Sequence, residues 1–172
     1  MTTLEPGEND MTWDYGLLIL DNRTGELRVP ATIGNRVWED ANQDGIQGEP
    51  VSEPSVPGVT VKLYDGDGQI IAIDVTDENG EYLFPNLLPG EYYIEFVLPD
   101  GYVITVEGTD PLSDVDSNVD PNTGRTPIEV LEYGEMNPTL DAGIYRTPLN
   151  LGDEDEPQQT LPLRIYLPVI QR

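Results

Sequence analysis

The 172-residue chain contains no cysteine and no histidine. Imidazole and thiolate are the usual neutral-pH bases, nucleophiles and transition-metal ligands, so their absence removes zinc sites, Ser-His-Asp triads and cysteine nucleophiles. Disulfides are excluded too, although the lack of cysteine does not decide the compartment. Basic residues are scarce: 8 Lys and Arg stand against 33 Asp and Glu, a formal charge of −25. Such a field repels phosphate backbones and anionic lipid surfaces, so no nucleic acid partner is expected and hard cations are the natural counterions. Long apolar runs are also missing. No stretch approaches the roughly 20 residues of a membrane span, and MTTLEPGEND at the start lacks the basic and apolar regions of a signal peptide.

What is present favours strands. A hydrophobic fraction of 37% can build a core, while 17 Gly and 16 Pro punctuate the chain too often for a helix bundle. Apolar residues recur with period two at Val59, Val61 and Leu63, at Ile71 and Ile73, at Tyr82 and Phe84, and at Tyr92, Ile94 and Phe96. Turn chemistry separates these runs at Asp65-Gly66-Asp67-Gly68, Asp77-Glu78-Asn79-Gly80 and Leu88-Pro89-Gly90. Further strands are expected at 33–38, 102–106, 128–131 and 139–145, seven to nine in all, with no helix. Short, closely spaced strands of this kind predict an all-β fold, an antiparallel β-sandwich.

An internal repeat sets the organisation. LEPGENDMTWDYGLL (4–18) and LEYGEMNPTLDAGIY (131–145) share seven identical positions at an offset of 127, among them Asp14/Asp141 and Gly16/Gly143. That spacing suggests tandem domains. Residues 1–30 are read as the terminal strand of a preceding repeat with its linker, and 31–146 as one complete domain. Residues 147–172 are read as an acidic linker followed by an apolar tail, LPLRIYLPVI, whose Pro162 and Pro168 restrict it to an edge position if it pairs.

The strongest local signal is Asp40-Ala41-Asn42-Gln43-Asp44-Gly45-Ile46. Oxygen-bearing side chains at positions 1, 3 and 5, Gly at 6 and an apolar residue at 7 form the first half of an EF-hand type loop. Every second side chain turns inward, Gly45 permits the sharp turn, and Ile46 offers its backbone carbonyl. Position 12 is Val51 rather than the bidentate Glu, so Glu53, displaced by a two-residue insertion carrying Pro50, is the expected closing ligand. A second acidic stretch alternates oxygen donors at Asp114, Asp116, Asn118 and Asp120. Hard oxygen donors in these patterns suit Ca²⁺; a solvated acidic turn is the alternative for each.

Five pieces in order resemble the SdrD B-like domain, a repeat of bacterial surface adhesins. They are IGNRVWEDANQDGIQ from Ile33, PGVTVKLYDGDGQ from Pro57, TDENGEYLFPNLLPGEYYIEF from Thr76, DSNVDPNTGRT from Asp116 and GEMNPTLDAGIY from Gly134. The resemblance implies a Greek-key, immunoglobulin-like β-sandwich of the collagen-adhesin B-type, made rigid by several Ca²⁺ ions. It assigns Asp40, Asn42, Asp44, Ile46 and Glu53 to the main site and Asp114, Asp116 and Asn118 to the later loop. Related domains can carry a Lys to Asn isopeptide bond. The sole lysine, Lys62, alternates out of phase with Val61 and Leu63 and is expected to face solvent instead.

The expected function is a calcium-stabilised, non-catalytic structural or spacer module of a bacterial cell-surface or secreted protein, with neighbouring repeat domains as partners. The alternative is an adhesion module for carbohydrate or a host protein, an extracellular ligand held by Trp38, Tyr92, Tyr93 and Tyr102. Only carboxylate catalysis is open to this composition, no motif singles out a pair, and a small sandwich offers little concave surface.

Overall fold

The structure, a computed structural model, describes residues 17–48, 53–108 and 115–147. Among them are eleven strands and no helix: β1 (Ile19–Leu20), β2 (Leu27–Arg28), β3 (Ala31–Glu39), β4 (Thr60–Asp65), β5 (Ile70–Val75), β6 (Glu81–Leu87), β7 (Gly90–Val97), β8 (Tyr102–Ile104), β9 (Glu129–Leu131), β10 (Met136–Asn137) and β11 (Ala142–Arg146). The repeat segment up to Gly16, Asp114, most of the acidic linker and the apolar tail lie outside the described residues.

Two sheets enclose one core. The first is organised by the nine-residue β3, which pairs antiparallel with β6 on one side and parallel with β10 and then β11 on the other. β8 closes this sheet against β11. The parallel pairs arise because the chain returns to β3 only after building the whole second sheet, and parallel neighbours require such a long crossover. The second sheet, in the order β5-β4-β7-β9, is antiparallel throughout. Alternation puts Val61, Leu63, Ile94, Phe96 and Leu131 of the second sheet against Ile33, Val37, Phe84 and Ile144 of the first.

The described strands number eleven against the seven to nine expected, the parallel pairs of the first sheet interrupt the expected antiparallel order, and two further features depart from the sequence reading. Ile71 and Ile73 are exposed, and Ala72 is the β5 residue packed on the core, because the register sets Ile73 opposite the outward-facing Lys62 and Ala72 opposite the inward-facing Leu63. Residues 17–30 also contain a hairpin, Ile19–Leu20 against Leu27–Arg28, where only a terminal strand and linker were expected.

The aromatic contact surface is likewise corrected. Trp38 is fully buried and Tyr92 nearly so, which leaves neither ring free to meet a ligand. Gly143 is needed beneath Trp38: a Cβ there would lie 2.9 Å from the indole and 2.6 Å from the Thr105 γ-methyl. Lys62 is on the outer face of the second sheet, as its phase predicts, and its Nζ lies 3.0 Å from Glu95 Oε1 on β7.

Candidate metal centre

The site begins where β3 ends. Glu39 is the last strand residue, and Asp40 then starts a loop whose side chains fold back on their own backbone. Asp40 is fully buried: Oδ1 accepts from the Gln43 amide at 2.6 Å, and Oδ2 from the Gly45 amide at 2.8 Å and the Thr105 hydroxyl at 2.5 Å. Asn42 Oδ1 accepts from the Asp44 amide, Asn42 Nδ2 donates to Asp44 Oδ2, and Asp44 Oδ1 accepts from the Ile46 amide. The bend requires positive φ at Gln43 (62°) and Gly45 (76°). Only glycine meets the second at low cost, and a Cβ there would also meet the Val106 carbonyl at 2.6 Å.

Glu53 approaches from the far side of the 49–52 segment, and its Oε2 accepts from the Gly48 amide at 2.8 Å. Asp40, Asp44 and Glu53 thereby present carboxylate oxygens that all lie within 4.8 Å of one another. Like charges this close cost energy unless a proton or a cation intervenes. Burial, followed by the charges of Asp40 and Asp44, pushes the Glu53 carboxyl above its ordinary value, although the Gly48 amide works against the rise. Glu53 Oε1 is buried and has no hydrogen-bond partner. A buried oxygen without a hydrogen-bond partner, on a carboxylate grouped with two others, fits a divalent cation that prefers oxygen.

The second acidic stretch is joined to this loop. The Gln47 amide donates to the Val115 carbonyl, the Ser117 amide to the Gly45 carbonyl, and the Gly108 amide to the Ser117 carbonyl. Ile46 is thus bridged to Asp116, and in such a pair its own N–H and C=O point away from Asp116. That is the side on which its amide meets Asp44.

The later residues diverge. Asp116 is buried in the bridged segment, whereas Asn118 Oδ1 accepts from the Asp141 amide at 3.2 Å. Asp120 Oδ1 accepts from the Asn122 amide and side chain, which holds its carboxyl below the ordinary value. Asp114 lies outside the described residues.

Two supporting residues escaped the sequence reading. Thr105 has no local signature, since it follows a strand like any other β-branched residue. Asp141 did have a signal, its identity with Asp14 in the repeat. It is fully buried and accepts from Asn35 Nδ2 at 2.8 Å and the Arg36 amide at 3.2 Å.

Serine-aspartate repeat-containing protein E of Staphylococcus aureus strain MSSA476 is 40% identical over 149 residues, covering 86% of this chain and 12% of that protein. The bone sialoprotein-binding protein of strain MRSA252 matches with the same identity and coverage. The chain therefore spans only about an eighth of the curated relatives it matches. Among solved structures, the minor pilin of Streptococcus agalactiae aligns with a TM-score of 0.43 at 13% identity, over 72% of this chain and 48% of that one. The Bacillus anthracis TIE protein aligns at 0.38 with 16% identity, over 69% and 18%. The profile of the SdrD B-like domain matches residues 31–144, two thirds of the sequence, and the chain belongs to that family.

Proposed function

We propose that residues 31–146 form a calcium-stabilised, non-catalytic structural module of a bacterial surface or secreted protein. In this reading residues 1–30 supply the end of a preceding repeat and a linker, and 147–172 lead away from the module. The observation that carries the reading is the cage of Asp40, Asp44 and Glu53, with ligand oxygens within 4.8 Å and Glu53 Oε1 left without a partner. Asn42 and the Ile46 carbonyl complete the proposed ligand set, and Asp114, Asp116, Asn118 and Asp120 are assigned to a second cation loop. The staphylococcal relatives, named for their serine-aspartate repeats, support placing the module among extracellular repeats.

The mechanism is thermodynamic linkage. A cation that binds the folded loop and not the unfolded chain stabilises the fold by about 2.7 kcal/mol per site at a hundredfold excess over Kd. For a domain of this size that corresponds to a rise in Tm of about 10 °C. The chain's own residues supply the rest: Asp40 is fixed by three hydrogen bonds, and Gly48 orients Glu53.

Thermal unfolding in millimolar CaCl2 and in EGTA tests the reading. A calcium-dependent rise in Tm is expected for the native chain and most of it is lost in Asp44→Ala. Because Asp44 is exposed and bonds only within its own loop, the variant in EGTA is expected to match the native chain. Equal Tm values with and without calcium would reduce the loop to an acidic turn.

A further inference from the structure

We propose that Thr105 is the positioning residue of the cation loop, holding the Asp40 carboxylate in its ligating orientation and tying it to β11. The inference rests on the cation reading above and assigns a role to a residue outside the loop itself.

Thr105 is 1% exposed and lies 65 residues from Asp40 in sequence. Its hydroxyl donates to Asp40 Oδ2 at 2.5 Å, and its amide donates to the Gly143 carbonyl at 3.0 Å. The Asp40 amide in turn donates to the carbonyl of Ile144, the next residue of β11, at 2.8 Å. Asp40, just beyond β3, and Thr105, just beyond β8, therefore flank β11 on opposite sides and are joined to each other across it through the hydroxyl and the carboxylate.

The orientation follows from counting acceptor sites. A carboxylate oxygen has two lone-pair positions. Oδ2 uses both, for Gly45 and Thr105, whereas Oδ1 uses one, for Gln43. Oδ1 is consequently the oxygen with capacity left to face Asp44 and Glu53. Without the Thr105 hydroxyl, Oδ2 would regain a free position and the carboxylate could rotate, so the ligating geometry would no longer be fixed before the ion arrives. Groups that orient metal ligands in this way typically alter affinity by about 10- to 100-fold when removed.

The γ-methyl of Thr105 packs where Gly143 and Trp38 meet, so hydroxyl and methyl must be separated experimentally. Thr105→Val keeps the methyl and removes the hydroxyl, Thr105→Ser does the reverse, and Thr105→Ala removes both. Calcium affinity by titration calorimetry, with Tm in EGTA measured in parallel, gives the two readouts. Val and Ala are expected to weaken calcium binding by roughly tenfold or more, and Ser to retain most of the native affinity. If Val does not fold, the Ser and Ala pair decides, since those two differ only in the hydroxyl. Affinities that are equal for Ser and Ala would overturn the proposal, as would losses in EGTA Tm with no change in affinity. A native chain that binds no calcium would remove the cation reading and this role together; native binding that is unchanged in all three variants would remove only this role.

Discussion

Asp141 and Asp44 are both single carboxylates near the acidic loops, yet burial gives them different work. Asp44 is exposed and its hydrogen bonds stay within its own loop, so the role proposed for it is that of a cation ligand. Asp141 is fully buried and joins the segment before β11 to β3 through Asn35 Nδ2 and the Arg36 amide. Removing it leaves those donors short of an acceptor, and hydrogen bonds to a charged group contribute roughly 1.5 to 3 kcal/mol each. Asp141→Ala is therefore expected to lower stability by about 2 to 4 kcal/mol in denaturant titrations, equally in EGTA and in calcium. An effect confined to the calcium-loaded protein would instead make Asp141 part of the cation site. At this scale the sequence was legible where chemistry is local. The alternation Asp40, Asn42, Asp44 announces a loop because its members answer one another within five residues, and Glu53 could be placed by counting an insertion. Thr105 could not be found so, since its partner is 65 residues away and nothing in a strand-like segment marks one threonine from another.

Among the elements, the second sheet shows how charge is handled on a face turned to solvent. Its outer face carries Lys62 and Tyr64 on β4 and Tyr93 and Glu95 on β7, with Arg125 beside them. The tyrosine rings stack with centroids 4.7 Å apart, and the Arg125 guanidinium lies 5.4 Å from each. Glu95 is the hub, accepting from Lys62 Nζ, the Tyr64 hydroxyl and Arg125. Burial alone would push its carboxyl up, but the hydrogen bonds from Arg125, Lys62 and Tyr64 outweigh it and hold it below the ordinary value of 4.5. A carboxyl depressed in the folded state contributes stability that is fully present above its unfolded value and is lost as pH falls through the folded one. In calcium-free buffer, Glu95→Gln is expected to be less stable than the native chain at neutral pH, with the gap closing on acidification below about pH 4.5. Urea midpoints at pH 7 and at the acid end would check this, and a gap independent of pH would assign Glu95 a packing role only. The strands of this sheet were largely legible, because period two survives in β4, β6 and β7. β5 misled: five of its six residues are apolar, and alternation by itself cannot say which set faces inward, which the register with β4 decides by setting Ile73 opposite the outward-facing Lys62. The hairpin of β1 and β2 was hidden for a related reason, since its paired segments are only two residues each and carry no period.

For the whole molecule the dominant quantity is the charge of −25. It opposes compaction in two ways that different ions relieve differently. Diffuse repulsion among surface carboxylates is screened by any salt, with a Debye length of about 8 Å at physiological ionic strength. Repulsion inside the cage of Asp40, Asp44 and Glu53 acts over less than 5 Å, well within that length, and partly away from water, so mobile ions relieve it poorly. A site-bound divalent cation cancels it directly and saturates. The two contributions separate in one comparison: Tm measured against CaCl2 and against NaCl at matched ionic strength, starting from EGTA-treated protein. NaCl is expected to raise Tm gradually with no plateau near the calcium midpoint, while calcium gives a steeper rise that levels off once the site is filled. Asp44→Ala is expected to keep the NaCl response and lose most of the calcium one, because it removes a ligand but only one of 33 acidic charges. If NaCl reproduced the calcium curve in the native chain, the stabilisation would belong to the overall field, and the loop after β3 would be one acidic turn among several.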